Sequence, residues 1–252
     1  MGRKKKRKGA KREIEPRQEP VAAAESPATV ETLAASQPTW TDAFAAMTLV
    51  DLFHKLYYDA RERTWTNTRW LGHHVLKNPL DLWVYQEILH ELRPGLIVET
   101  GTWAGGSALF LAGICDLLGH GRVVSIDINP SPALSHPRIT WFTGSSTDAA
   151  TREAVAAFAA LATGPVLVIL DSDHTRDHVL AEMRSFAPFV TPGSYLIVED
   201  TNVNGHPVSP EHGPGPMEAV ELFLAECPDF APDRTREKFF LTQNPGGYLR
   251  RR

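Results

Sequence analysis

The 252 residues, 42% of them hydrophobic, suffice for one α/β domain with extensions, and they contain no apolar run of the ~18 residues that a membrane-spanning helix needs. The net charge of −4 hides a split: residues 1–18 hold nine Lys/Arg and two Glu, hence +7, which leaves −11 on the remainder. The start, Gly2 to Lys8, lacks the apolar stretch of a secretory signal, and Cys115 and Cys227 have no C-x-x-C partner, which argues against a disulfide framework or zinc site and predicts buried thiols in a reducing, cytoplasmic compartment.

Residues 1–39 combine the basic run with Pro16, Pro20, Pro27 and Pro38 among Ala, Glu, Ser and Thr, a composition that predicts a disordered tail. Its charge suits peripheral contact with an anionic surface or plain solvation, and a basic patch confined to a tail gives no ground to expect a specific nucleic-acid partner. Residues 40–94 form a predicted N-terminal helical segment. Thr41-Asp42 is a plausible cap, and Leu49, Leu52, Phe53, Leu56 and Tyr57 follow the stripe of an amphipathic helix. An aromatic-rich connection with Trp65, Trp70, His73 and His74 follows. Pro79-Leu80-Asp81 then opens a second helix that runs to about Glu91. These helices are expected to pack on the sheet or to lid a pocket.

The core is predicted over residues 95–252 and is organised around Leu96 to Ser107. Leu96 to Val98 reads as a buried parallel strand, which Glu99 closes. Gly101, Gly105 and Gly106 let the backbone turn sharply and approach a ligand, and Ser107 to Leu118 reads as a helix ended by Gly119. A dinucleotide fingerprint would place its second glycine where Trp103 stands. The loop therefore favours S-adenosylmethionine over NAD, with a ligand-free turn as the plain alternative. Arg122 to Asp127 is the second strand, and Asp127 lies where an acid can accept ribose hydroxyls. Ile139 to Phe142 is a third strand. After it, Ser146 and Asp148 either wall an adenine pocket or cap the next helix.

Val166 to Leu170 and Ser194 to Val198 are two further buried strands, ending in Asp171-Ser172-Asp173-His174 and Glu199-Asp200. Alternation of strand and helix predicts a mostly parallel, doubly wound sheet. Its carboxyl rim would gather Asp171, Glu199 and Asp200, carboxylates that repel unless a cation joins them. Oxygen ligands without cysteine select Mg²⁺ or another hard divalent ion. His174 could take a proton from a substrate hydroxyl or bond the loop backbone. Thr201 to Pro216 is a long Gly/Pro-rich loop in which Asn202, Asn204, His206 and His212 could meet a polyhydroxylated substrate. The segment from Phe239 to Arg250 reads as an antiparallel hairpin around Asn244-Pro245-Gly246-Gly247.

Taken together, Glu99 to Ser107 resembles the first motif of metal-dependent, catechol-type O-methyltransferases. Ile169 to His174, Val198 to Asp200, Asn204 to Val208, Gly213 to Pro216, Asp81 to Glu87 and the closing Asn-Pro-Gly-Gly-Tyr-Leu resemble the cephalosporin hydroxylase family and, within it, bacterial rhamnosyl O-methyltransferases. The resemblance implies a Rossmann-like class I methyltransferase that transfers a methyl from S-adenosylmethionine, with Mg²⁺, to a hydroxyl of a sugar in a glycolipid or secondary metabolite. Glu99, Gly101, Thr102, Gly105, Ser107, Asp127, Ser146, Asp148 and Asp171 would hold the cofactor. Asp171, Glu199 and Asp200 would hold the metal, and Asp171 with His174 would be catalytic. A homo-oligomer is expected. Two departures stand out: the catechol-type pattern has Asp-Asn where this chain has Glu199-Asp200, and its catalytic lysine position is His174 here. The alternatives are an NAD- or sugar-nucleotide-dependent oxidoreductase and a non-catalytic protein that binds through its basic tail.

Overall fold

The computed structural model describes the backbone of residues 40–129 and 133–252, and side chains from residue 49 onward within them. The tail predicted for residues 1–39 lies outside the described residues. Helix α1 spans Trp40–Asp59. Its stripe does not go where the pattern suggests: Leu49, Leu52, Phe53 and Leu56 are 51–69% exposed. The helix instead turns His54 inward, against the Asn202 side-chain amide at 3.1 Å, and stacks Tyr58 on Trp65 at 5.5 Å. These polar and aromatic anchors set its rotation, and apolar periodicity alone does not.

Strands β1 (Arg69–Trp70) and β2 (His73–His74) form a small hairpin. Helix α2 (Pro79–Leu92) starts where its sequence dictates: Asn78 Oδ1 accepts the Leu80 N–H at 3.1 Å and Pro79 takes the first turn. Strand β3 (Leu96–Thr100), α3 (Gly106–Leu118), β4 (Val123–Asp127), β5 (Ile139–Thr143), α4 (Ala149–Ala160), β6 (Val166–Leu170), α5 (Arg176–Phe186) and β7 (Tyr195–Val198) then alternate. Helix α6 (Pro216–Glu226) and strands β8 (Phe230–Pro232) and β9 (Tyr248–Arg251) complete the chain.

The sheet order is β5-β4-β3-β6-β7-β9-β8, with the first five strands parallel and β9 antiparallel to both its neighbours. The antiparallel edge pair is present, but its first strand is Phe230–Pro232 rather than the segment after Phe239. Phe239 and Phe240 are exposed in left-handed backbone (φ 75° and 62°), which cannot continue a strand.

Helices cover both faces. Val98, Val124, Val168, Leu170 and Leu196 pack against α4, α5 and α6 through residues such as Val155, Met183 and Phe223. The alternate residues Ile97, Val123, Leu167, Ile169 and Ile197 pack against α2 and α3 through Ile88, Leu89 and Leu111. The order reverses between β3 and β6, so the crevice in which open α/β sheets bind ligands lies at the carboxyl ends of these two strands.

Register fixes what meets there. Thr100 pairs with Leu170 and Leu170 with Val198. The next residues, Gly101, Asp171 and Glu199, therefore leave three adjacent strands at one level.

A buried pin ties α2 to the final turn. Asp81 accepts the Thr242 hydroxyl (2.5 Å), the Tyr248 hydroxyl (2.9 Å) and the Gln243 N–H (2.8 Å). Asn244 donates to the Tyr85 hydroxyl at 3.0 Å and accepts the Asp200 N–H at 3.1 Å. Burial pushes the Asp81 carboxyl up to about 6 against those donors. Asp81→Ala strands three buried donors and should lower unfolding free energy by roughly 2–4 kcal/mol. Urea unfolding measures this, and a midpoint within error of the parent would show that the pin carries no load.

Candidate functional site

The glycine loop reaches the rim because Gly101 has no side chain. Its φ is 85°, and a Cβ there would lie 1.8 Å from the Asp171 carbonyl oxygen. Asp171 in turn donates its N–H to the Thr100 carbonyl at 3.2 Å. Gly105, at φ 79°, turns the chain into α3. Gly106 lies against the small hairpin, where a Cβ would fall 1.8 Å from the His74 carbonyl oxygen. Trp103, at φ 43°, donates its backbone N–H to Asp127 Oδ2 (2.9 Å) and is 56% exposed at the mouth.

These loops enclose a cavity of about 500 Å³. Gly101, Thr102, Ser107, Asp127, Ser146 and Asp171 line it. Thr102 shares a 2.7 Å hydrogen bond with Ser125, whose hydroxyl donates to Glu99 Oε2 at 2.8 Å. The other Glu99 oxygen, Oε1, is buried without a partner, and burial raises its carboxyl above the ordinary range despite Lys77. Asp148 does not line the cavity; it takes the N-cap position of α4 without a side-chain capping bond. Gly105 lies behind the loop and shapes it.

Three ligand-type side chains converge on the same cavity. His174 Nε2 is 3.3 Å from Asp171 Oδ1 and 3.3 Å from Asp200 Oδ2. One ligand atom from each of Asp171, His174 and Asp200 lies within 4.8 Å of the others, a spacing that could hold a metal ion. The two hard carboxylate oxygens, without thiolate, suit Mg²⁺ or another hard divalent ion, and the imidazole beside them suits proton transfer. Asp200 reaches this position with φ 54°, a left-handed turn supported by Asn244. Glu199 points elsewhere: its Oε1 accepts from Lys77 Nζ at 2.6 Å. Asp173 is spent on the loop, accepting the Thr175 N–H at 2.8 Å.

Lys77 is the residue that sequence reading missed. It precedes α2, is 2% exposed, and its Nζ also lies 2.6 Å from Asp171 Oδ2. Nothing local marks it, because its partners are 94 and 122 residues away. His178 was missed too. It lines the cavity 3.2 Å from both Ser146 and Ser172, while Ser172 donates to the fully buried Glu182 at 2.7 Å. On the long loop, Asn204 and His206 both bind Glu218 (3.0 and 2.9 Å), leaving His212 at the cavity wall.

The charges act on one another. Burial disfavours the ionised Asp171, but Lys77 and His174 outweigh it and hold its carboxyl below the ordinary range. Burial and the Asp171 charge push Glu199 up, so the two carboxylates that share Lys77 do not share it equally. Burial raises Asp200 as well, with Asp171 adding to it and His174 opposing it. Burial pulls the His174 imidazole down, yet Asp200 and Asp171 reverse this and lift it to about 9.

Because the folded His174 titrates above its ordinary 6.5, its stabilising contribution is complete below about pH 6.5 and is lost as pH rises through 9. The metal-free protein should therefore melt at progressively lower temperature across that window. His174→Gln should flatten the profile, and an unchanged slope in the variant would assign the effect to other groups.

Comparison with known proteins identifies the family. Residues 62–252 match the family described as Rhamnosyl O-methyltransferase/CmcI. The rhamnosyl O-methyltransferase of Mycobacterium tuberculosis is 43% identical over 205 residues, covering 78% of this chain and 82% of that protein. The rhamnosyl O-methyltransferase of Mycobacterium leprae is 42% identical over 210 residues, covering 81% and 91%. Among solved structures, the apo form of CmcI superimposes with a TM-score of 0.59 at 25% identity, covering 74% of this chain and 76% of its own. A CmcI structure with Mg and SAM gives 0.58 at 24% identity, covering 74% and 77%, and shows the shared fold. With the motifs placed on one rim and the match spanning nearly all of the described chain, the protein belongs to the rhamnosyl O-methyltransferase/CmcI family.

Proposed function

We propose that this protein transfers the methyl group of S-adenosylmethionine to a hydroxyl of a rhamnosyl or related sugar, with a divalent cation at Asp171 and Asp200. The observation that carries the reading is the convergence of Asp171, His174 and Asp200 on the cavity that the glycine loop walls. The chain's relatives carry rhamnosyl O-methyltransferase as their name. Its two free cysteines fit a cytoplasmic setting, and no helix among the described residues is long and apolar enough to cross a membrane.

The residues present fit both the cofactor and a divalent cation. Glu99 is fully buried behind the glycine loop rather than on the cavity lining, and its Oε1 is an acceptor without a donor there. Asp127 and Ser146 line the same cavity and can accept from ribose hydroxyls and meet the base. Gly101, Thr102 and Ser107 shape the wall between them. Asp171 and Asp200 present the hard oxygens of a cation site, and Glu199, the third carboxylate expected from the sequence, is held by Lys77 behind them. When bound, the cofactor supplies a sulfonium-activated methyl, and the cation a Lewis acid that lowers an alcohol's pKa.

The protein's own share is positioning and proton transfer. The cavity walls would position the acceptor hydroxyl beside the methyl donor. His174 Nε2 takes the hydroxyl proton. It becomes a competent base once the carboxylate charges that hold its own proton are neutralised. His212, on the cavity wall, is placed to bond a sugar hydroxyl.

Calorimetry should detect binding of S-adenosylhomocysteine and none of NAD; the reverse would return the oxidoreductase reading. Labelled-methyl transfer to rhamnosylated glycolipids should fall on chelation and recover with Mg²⁺. Full turnover after exhaustive chelation would remove the cation from the mechanism. His174→Ala should lower kcat by about 10²-fold or more, and a near-parental rate would make the imidazole structural.

A further inference from the structure

Lys77 sits where a lysine is costly and does something specific there. Its side chain is 3% exposed, and it does not line the cavity, so it touches neither acceptor nor cofactor. Its Nζ makes two 2.6 Å ion pairs, one to Asp171 at the end of β6 and one to Glu199 at the end of β7. The Asp171 carboxylate is thereby divided: Oδ2 goes to Lys77 and Oδ1 faces His174. Removing an ammonium from water costs several kcal/mol unless its partners are well placed, and here two carboxylates on adjacent strands provide them.

We propose that Lys77 is a positioning residue of the transfer site, a permanent counter-ion that locks Asp171 and Glu199 from behind the rim and leaves the Asp171 Oδ1–Asp200 face, beside His174, for a single cation. This inference rests on the reading of that face as a cation site. Two consequences follow from placing a fixed positive charge next to a site for another. Lys77 weakens binding of the divalent ion by repulsion. It also keeps Asp171 Oδ1 aimed at the cavity whether or not the ion is present. Loss of Lys77 should therefore tighten metal binding while impairing turnover, a pairing of opposite signs that general destabilisation does not produce.

The experiment is a Mg²⁺ titration of thermal stability on the full chain, with steady-state kinetics beside it. Lys77→Met keeps the length of the side chain and removes its charge. Its Mg²⁺ midpoint should fall about tenfold or more, the direction given by Coulomb repulsion at close range. Its kcat should fall at least tenfold with little change in KM for S-adenosylmethionine. Lys77→Arg, which keeps the charge, should hold the parental Mg²⁺ midpoint within about threefold. If Lys77→Met is insoluble, refolding in Mg²⁺ should rescue it, because the ion replaces the lost positive charge. A Lys77→Met midpoint that is unchanged or weaker overturns the proposal, as does insolubility that Mg²⁺ does not relieve. A parental protein with no Mg²⁺ response at all overturns the cation site itself, and the role of Lys77 with it.

Discussion

Negative charge buried at the ends of adjacent parallel strands is the constraint that the rest of this structure accommodates. Parallel register brings Asp171 and Glu199 to one level, and Glu99 lies one strand over, fully buried. Carboxylates this close and this dry cannot all ionise without a positive partner. The chain supplies one from outside the sheet, the Lys77 ammonium, delivered by the segment just before α2. That requirement explains why the start of α2 is held so firmly. Asn78 caps the helix, and Asp81 ties it to the turn before β9. Asn244 in that turn then steadies the Asp200 backbone. The rim and its supports form one continuous polar assembly under the cavity.

Close backbone approach is the second constraint. Gly101 and Gly106 each occupy a place where a single added carbon would collide with a carbonyl oxygen, one on the β6 loop and one on the small hairpin. The glycine loop is thus fixed by its neighbours on both sides as well as by its own turn. The aromatic connection between the first two helices contributes to one wall of the pocket through Trp65, Val75 and Leu76, with Tyr58 of α1 stacked on Trp65.

The departures from the catechol-type pattern acquire a physical meaning. Glu199-Asp200 carries one more acid than the Asp-Asn that the pattern has, and Lys77 matches the extra charge. The imidazole at the pattern's lysine position lies between two carboxylates, which hold it protonated until their charge is taken up elsewhere. A lysine is present in the site after all, but behind Asp171 rather than in the cavity, where it serves geometry instead of proton transfer.

Much of the molecule was legible from residue order. Unbroken apolar runs such as Val166 to Leu170, punctuated by Gly101 and Gly119, specify buried strands and helix ends through local chemistry, so the parallel sheet and the rim acids could be placed. The motif set also pointed to the family. Other features were set only when distant segments met. The outward stripe of α1 followed from His54 and Tyr58 finding partners, and the edge strand moved to Phe230 because Phe239 and Phe240 turn left-handed. Asp148, a candidate for the cofactor pocket, lies at a helix cap outside it. Lys77 shows the division most clearly: its identity was in the sequence, but a lysine becomes a buried counter-ion only when carboxylates 94 and 122 residues away arrive beside it, and no local pattern encodes that arrival.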